Sequence, residues 1–277
     1  ILNPVRYVPV EGTISYNPKI NLDIQLKDSA YINPFFRNRK DDENWIKKLV
    51  HNPEIADTYQ PLNLPTKLEY SGGLCDPEDE YDYVIITTTA NNLDHWSTSP
   101  STPYNWTSLM NKHESEDNLN CTLVTRQNIS SCSAYWNSTA LFNDTAAQIR
   151  EFLRDAYQDW EISYVLIGGD DDLIPAREMK YYYEDDVDSD LYWSNLDNTF
   201  NADQDSYWGE YTDGGFDLYS ELYIGRLTCD VPQDVSNWMN KSFTYADSLN
   251  QDLIENAAFY GGALGWSCEG DDFIEYS

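Results

Sequence analysis

Positive charge is scarce in this sequence. Its 277 residues carry 17 Lys plus Arg against 48 Asp plus Glu, a net charge of -31. A nucleic-acid binder needs a basic footprint, and an anionic membrane surface repels a chain this acidic, so both partners are excluded. Long apolar runs are missing too. No stretch approaches the ~18 consecutive apolar residues of a membrane-spanning helix. No charged-then-apolar leader stands at Ile1, so any leader is expected upstream or already removed. Gly168-Gly169 and Gly261-Gly262 lack the glycine spacing and lysine of phosphate loops. None of the five cysteines lies in a C-x-x-C pair, which argues against zinc.

The remaining explanations of the acidity are cation binding, a salty habitat or a solvated surface. Compartment is indicated by Asn-x-Ser/Thr sequons at Asn105, Asn120, Asn128, Asn137, Asn143 and Asn240. Their clustering between Asn105 and Asn143 points to N-linked glycans on a secreted or cell-surface protein. Cys121 and Cys132 flank a short polar stretch in that region and are expected to close a disulfide. The odd cysteine count leaves at least one of Cys75, Cys229 and Cys268 free or paired elsewhere.

Periodicity divides the chain into a β-rich extension (1–30), a Pro-rich connector (31–80) and an α/β domain (81–277). Alternation at Tyr7–Val10 and Ile20–Leu26 reads as half-buried strands. Trp45–Val50 reads as a short helix. From Tyr83 the pattern changes. Tyr83–Thr89, Cys121–Thr125, Tyr164–Ile167 and Leu222–Ile224 read as strands buried on both faces, and Ala257–Tyr260 as a further one. Helices are expected at Trp106–Glu116, after Thr145 and from about Val231, with Pro232 in its first turn. Thr145 and Gln148 have the spacing of a capping box. Ile149, Phe152, Leu153, Ala156, Tyr157 and Trp160 then form one apolar stripe at helical spacing. The segment 127–144 reads as a loop. Strands alternating with helices imply a mostly parallel sheet covered on both faces.

The long acidic segment after Asp170 holds one calcium-like pattern. Asn201, Asp203 and Asp205 place oxygen ligands at alternate positions, followed by Tyr207, whose carbonyl can add a ligand, and Glu210. The pattern lacks the central Gly and the twelfth-position Glu of an EF-hand, and a solvated acidic loop explains it equally well.

The order of segments resembles the gingipain-like cysteine peptidases. The carriers are Tyr164-Val-Leu-Ile-Gly-Gly-Asp-Asp-Asp-Leu-Ile-Pro-Ala-Arg177, Ser189-Asp190-Leu-Tyr192 and Asp217-Leu-Tyr-Ser-Glu-Leu-Tyr-Ile-Gly-Arg226. Leu2-Asn-Pro-Val-Arg-Tyr7 and Tyr83-Val-Ile-Ile86 resemble the end of that family's pro-segment and its first sheet strand. The resemblance implies a caspase-like α/β fold and cleavage of protein or peptide substrates by a Cys–His dyad. It places the His in a Gly-His-Gly-like turn and the Cys after the next strand, both C-terminal to the matching region. His51, His95 and His113 do not fit that motif, so no catalytic residue is assigned. A C-terminal part of the fold, or a copy of the chain, is expected to complete the domain. The resemblance also implies a calcium ion on Asp170, Asp217 and Glu221, with main-chain oxygen from Tyr219 and Gly214. The alternative is a non-catalytic cell-surface glycoprotein, a surface-layer or filament component, that reuses the fold.

Overall fold

The computed structural model describes residues 5–10, 12–16, 19, 33, 35–37, 40–50, 52–58, 70–181, 185–210, 219–247, 263–264 and 267–268. Two units are distinguished, Ile1–Asn33 and Pro34–Ser277. In the first, β1 (Val5–Val8) pairs antiparallel with β2 (Thr13–Tyr16). Gly12 closes the turn at φ +62, donating its N–H to the Pro9 carbonyl. The strand expected at Ile20–Leu26 lies outside the described residues.

The larger unit opens with α1 (Lys40–Leu49) and a 3-10 turn at Pro53–Thr58. Residues 70–75, read as part of a connector, clad the domain instead. The Tyr70 hydroxyl donates to Glu151 Oε2 at 2.5 Å, and the Leu74 N–H donates to the Tyr135 hydroxyl at 2.6 Å.

Next in the chain come β3 (Tyr83–Thr87), α2 (Trp106–Glu116), β4 (Cys121–Thr125), α3 (Arg126–Ser131), α4 (Thr145–Asp159) and β5 (Tyr164–Gly168). A hairpin follows, β6 (Arg177–Tyr181) with β7 (Asp185–Ser189), and then α5 (Leu191–Ser194). The described chain continues with β8 (Tyr223–Leu227), α6 (Pro232–Asp247) and the two-residue strands β9 (Ala263–Leu264) and β10 (Ser267–Cys268). Four strands form one parallel sheet in the order β4-β3-β5-β8.

Alternation along the strands supplies both faces of that sheet. Val84, Ile86, Val165 and Ile167 meet Ile149, Phe152, Leu153 and Ala156 of α4. Ile85, Leu166 and Leu227 meet Trp106 and Leu109 of α2 and Val235 and Met239 of α6. Each such side chain removed from water contributes roughly 1.5–3 kcal/mol. This explains the continuous apolar and β-branched runs: a strand covered on both faces turns side chains on both sides into a core.

Two local expectations change. The N-cap of α4 is Asp144, whose carboxylate accepts from the Ala147 N–H at 2.9 Å. Thr145 is therefore the first helical residue, and Gln148 donates to the Asn143 carbonyl rather than to a threonine partner. The supposed 127–144 loop contains most of α3, whose N-cap Thr125 forms a capping box with Asn128. The strand expected at Ala257–Tyr260 lies outside the described residues.

Candidate functional site

In open parallel sheets the ligand crevice lies at the carboxyl ends of the strands. Here that edge is built from Thr87 and Thr88 after β3, Gly168-Gly169-Asp170 after β5, and Cys229-Asp230 after β8. The Thr87 hydroxyl donates to the Gly168 carbonyl at 2.9 Å, joining β3 to β5. A Cβ on Gly168 would stand 2.6 Å from the Trp106 indole, so only glycine lets α2 approach β5 this closely. The Asp170 carbonyl turns the chain by accepting from Leu173 and Ile174 N–H. Its side-chain Oδ1 is buried without a hydrogen-bond partner among the described residues. Asp230 shares a side-chain hydrogen bond with Asp170, which, with the charge of Asp170 behind it, raises the Asp230 pKa above the usual carboxylate value.

One arginine ties the edge together. Arg226 sits on β8, and its Nε and Nη2 donate to the two Asp190 carboxylate oxygens at 2.9 and 2.7 Å. Its Nη1 donates to the Gly169 and Ile174 carbonyls, both at 2.9 Å. The segments 164–177, 189–192 and 217–226, separate in sequence, thus meet at one guanidinium. The planar fork suits this task because it holds a carboxylate with one edge and carbonyls with the other.

The thiols of Cys75, Cys121 and Cys229 do not have the setting of an activated nucleophile. A catalytic cysteine needs a lowered pKa and an imidazole beside it. Cys229 is only 3% exposed and has acidic neighbours. Burial, then Asp234, Asp230 and Asp170, push its thiol up to about 12. Burial and nearby carboxylates push Cys121 up to about 11. Cys75 is raised as well, mainly by burial. The imidazoles are engaged elsewhere: His95 with Asn92 and Ser97, His113 with Asp117 and the Tyr83 ring. His51 lies outside the described residues.

The profile of peptidase family C25 matches residues 76–276. The chain belongs to peptidase family C25. That match covers the α/β unit and includes all three segments gathered by Arg226. No curated protein matches the chain. Two solved structures are similar at low identity. One is titled as the structure of a protease, at 14% identity and TM-score 0.43, covering 67% of this chain and 33% of that one. The other is a complex of the pro- and mature domains of Porphyromonas gingivalis RgpB, at 17% identity and TM-score 0.35, covering 59% of this chain and 29% of that one. This chain therefore spans about a third of the length of those it matches.

Of the calcium ligands expected in this C25 chain on Asp170, Asp217 and Glu221, the structure describes Asp170 and Glu221. Asp170 follows the carboxyl end of β5, whereas Glu221 precedes β8, and the parallel register pairs Tyr164 with Tyr223 and Gly168 with Leu227. Asp170 thus follows one end of the paired strands and Glu221 precedes the other, the strands themselves spanning about 13 Å. Glu221 Oε2 accepts from the Leu196 N–H at 2.6 Å, and the Tyr219 carbonyl accepts from Asn195 at 3.1 Å. Asp217 and Gly214 lie outside the described residues. The second set behaves differently: Asp203, Asp205 and Glu210 bring one carboxylate oxygen each to within 4.8 Å of one another.

The expected Cys121–Cys132 bridge is also absent. Both thiols are free, Cys121 Sγ donating to the Leu119 carbonyl and Cys132 Sγ to the Gly72 carbonyl. The reason is that β4 and α3 fill the interval and carry the two residues apart. Among the sequons, Asn120, Asn128, Asn137 and Asn240 are exposed, and Asn143 is half-buried. Asn105 is 7% exposed, and its Nδ2, the atom a glycan would occupy, donates to the Trp96 carbonyl at 2.6 Å.

Sequence reading missed Arg226 and Asp230 as site-builders. The Ile-Gly-Arg ending of β8 was visible, but its partner Asp190 is a long-range contact that spacing cannot reveal.

Proposed function

We propose that this chain is the N-terminal portion of an extracellular, gingipain-like cysteine endopeptidase, with its catalytic His and Cys contributed by residues C-terminal to the elements described above. The observation that carries the reading is the C25 match across the α/β unit, whose three signature segments converge on Arg226. The sequon cluster supports an exported, N-glycosylated protein. The raised pKa values of Cys75, Cys121 and Cys229 support a nucleophile elsewhere. The substrate is a protein or peptide, and its side-chain preference is set by residues beyond this edge.

The test is active-site labelling of the full-length protein with a peptidyl acyloxymethyl ketone, followed by peptide mapping. The expected adduct lies on a cysteine other than Cys75, Cys121, Cys132, Cys229 and Cys268, with peptide hydrolysis lost in proportion to labelling. An adduct on one of those five overturns the placement of the nucleophile. No adduct and no hydrolysis overturns the peptidase reading and favours the surface glycoprotein.

A further inference from the structure

The loop between α5 and residue 210 holds three carboxylates close together and a buried amide oxygen that, among the described residues, has no hydrogen-bond partner. Asp203 Oδ1 accepts from the Asp205 N–H at 3.3 Å, and Asp205 Oδ1 accepts from the Tyr207 N–H at 2.6 Å. These successive turns curl the chain so that alternate side chains converge, and Glu210 closes the group within 4.8 Å. Gly209 fastens the return by donating to the Phe200 carbonyl at 2.7 Å, and the Trp208 carbonyl accepts from Lys180 of β6 at 2.8 Å.

The independent observation is Asn201. It is 1% exposed. Its Nδ2 donates to the Asp205 carbonyl at 2.9 Å, which fixes the carboxamide inside this turn. The Oδ1 on the same carboxamide is buried and accepts no hydrogen bond among the described residues. A buried acceptor without a partner is costly, and a cation bound in this turn would satisfy it.

We propose that Asn201 Oδ1, the carboxylates of Asp203, Asp205 and Glu210, and the Tyr207 carbonyl hold a structural calcium ion. All donors are oxygen, which suits a hard cation better than zinc and other metals that favour nitrogen or sulfur. Several carboxylates, each able to bind through one or both oxygens, suit the large and irregular calcium shell better than the strict octahedron of magnesium. The ion would lock the loop that seats Trp208 against Arg177, whose guanidinium lies 3.9 Å from the indole centroid. This site is separate from the sheet edge and does not depend on the peptidase reading.

Terbium is a suitable probe, because Tyr207 and Trp208 lie within the loop and can sensitise its emission. The experiment titrates terbium into the full chain under tryptophan excitation, then displaces it with calcium or magnesium. Expected results are sensitised emission from the native protein, displacement by calcium at concentrations at least tenfold below those needed of magnesium, and at least a tenfold loss of terbium affinity in Asp203→Asn/Asp205→Asn. Asp170→Asn should leave the titration unchanged. Should the double variant fail to fold, the single Asp203→Asn variant carries the same comparison. The proposal is overturned by an absence of sensitised emission, by equal displacement with magnesium, or by terbium affinity undiminished in the Asp203 variants. Those outcomes leave the labelling test above untouched.

Discussion

At the residue scale, Asp155 is the group with the clearest pH consequence. It is 1% exposed on α4 and accepts a 2.5 Å hydrogen bond from the Tyr135 hydroxyl. Burial raises its pKa to about 6, against the lowering pull of the Tyr135 hydrogen bond. A carboxyl with a raised folded-state pKa binds its proton more tightly when folded. Its stabilising contribution is therefore complete below about pH 4 and is lost as pH rises through about 6. Asp155→Asn removes that titration. Denaturation at pH 5 and pH 7.5 should show the native protein losing more stability across the interval than the variant does. Equal losses would mean that Asp155 is ionised throughout. Gly168 gives a second, steric expectation. A Cβ at this position would stand 2.6 Å from the Trp106 indole, whose Nε1 is tied to the Leu93 carbonyl at 2.8 Å. Gly168→Ala must therefore displace α2 from the sheet. Overpacking of this kind costs about 1–3 kcal/mol, readable in urea titration. A neutral result would show that α2 is free to shift.

Elements were legible where a short-range pattern and tertiary burial agree. Trp106–Glu116, Cys121–Thr125 and the α4 stripe appear as read, because β-branched runs and helical spacing coincide with the two cores. The hairpin β6–β7 was not legible. Its residues are polar and acidic, and its pairing is held by Lys180 against Asp186 rather than by an apolar alternation. The missed α3 is capped by Thr125, the last residue of β4, so one residue serves as both strand end and helix cap. The candidate calcium site was half legible. Alternation at 201–205 is local and survives as a cluster. The Asp170–Glu221 set joined the end of one strand to the start of its parallel neighbour, and parallel pairing puts those at opposite ends of the paired strands. Asn105 shows how an element overrules a motif: it caps α2, accepting from the Ser108 N–H at 3.1 Å, while its Nδ2 is occupied. Glycopeptide mapping of the folded, secreted protein should find glycans at positions drawn from Asn120, Asn128, Asn137 and Asn240, and none at Asn105. Asn105→Ala should also cost about 1 kcal/mol as a lost N-cap. A glycan at Asn105 would mean that this cap does not form as described.

At the scale of the whole molecule, the net charge of -31 sets a response to salt that no single site determines. Like charges in a compact chain repel, and unfolding relieves the repulsion by moving them apart. Monovalent salt screens that repulsion, shrinking the Debye length from ~10 Å at 0.1 M to ~3 Å at 1 M. Salt also weakens favourable pairs, but the chain has 17 basic residues against 48 acidic ones. The strongest pair at the sheet edge, Arg226 with Asp190, is only 13% and 23% exposed, and partly buried pairs are screened less. Relief of repulsion therefore dominates, and the melting temperature should rise as sodium chloride increases from 0.1 to 1 M. Calcium can stabilise in two ways that this experiment separates. General screening by a divalent ion fades once 1 M sodium chloride has already screened the surface. Occupation of the loop at Asn201–Glu210 persists, because a ligand that binds only the folded state stabilises it by mass action. At 1 M sodium chloride, millimolar calcium should still raise the melting temperature of the native protein and leave that of Asp203→Asn/Asp205→Asn unchanged, while both proteins gain equally from sodium chloride itself. A melting temperature that is flat or falling with sodium chloride would show that ion pairs outweigh the repulsion. A calcium effect that disappears at 1 M salt would reduce the ion to a screening role.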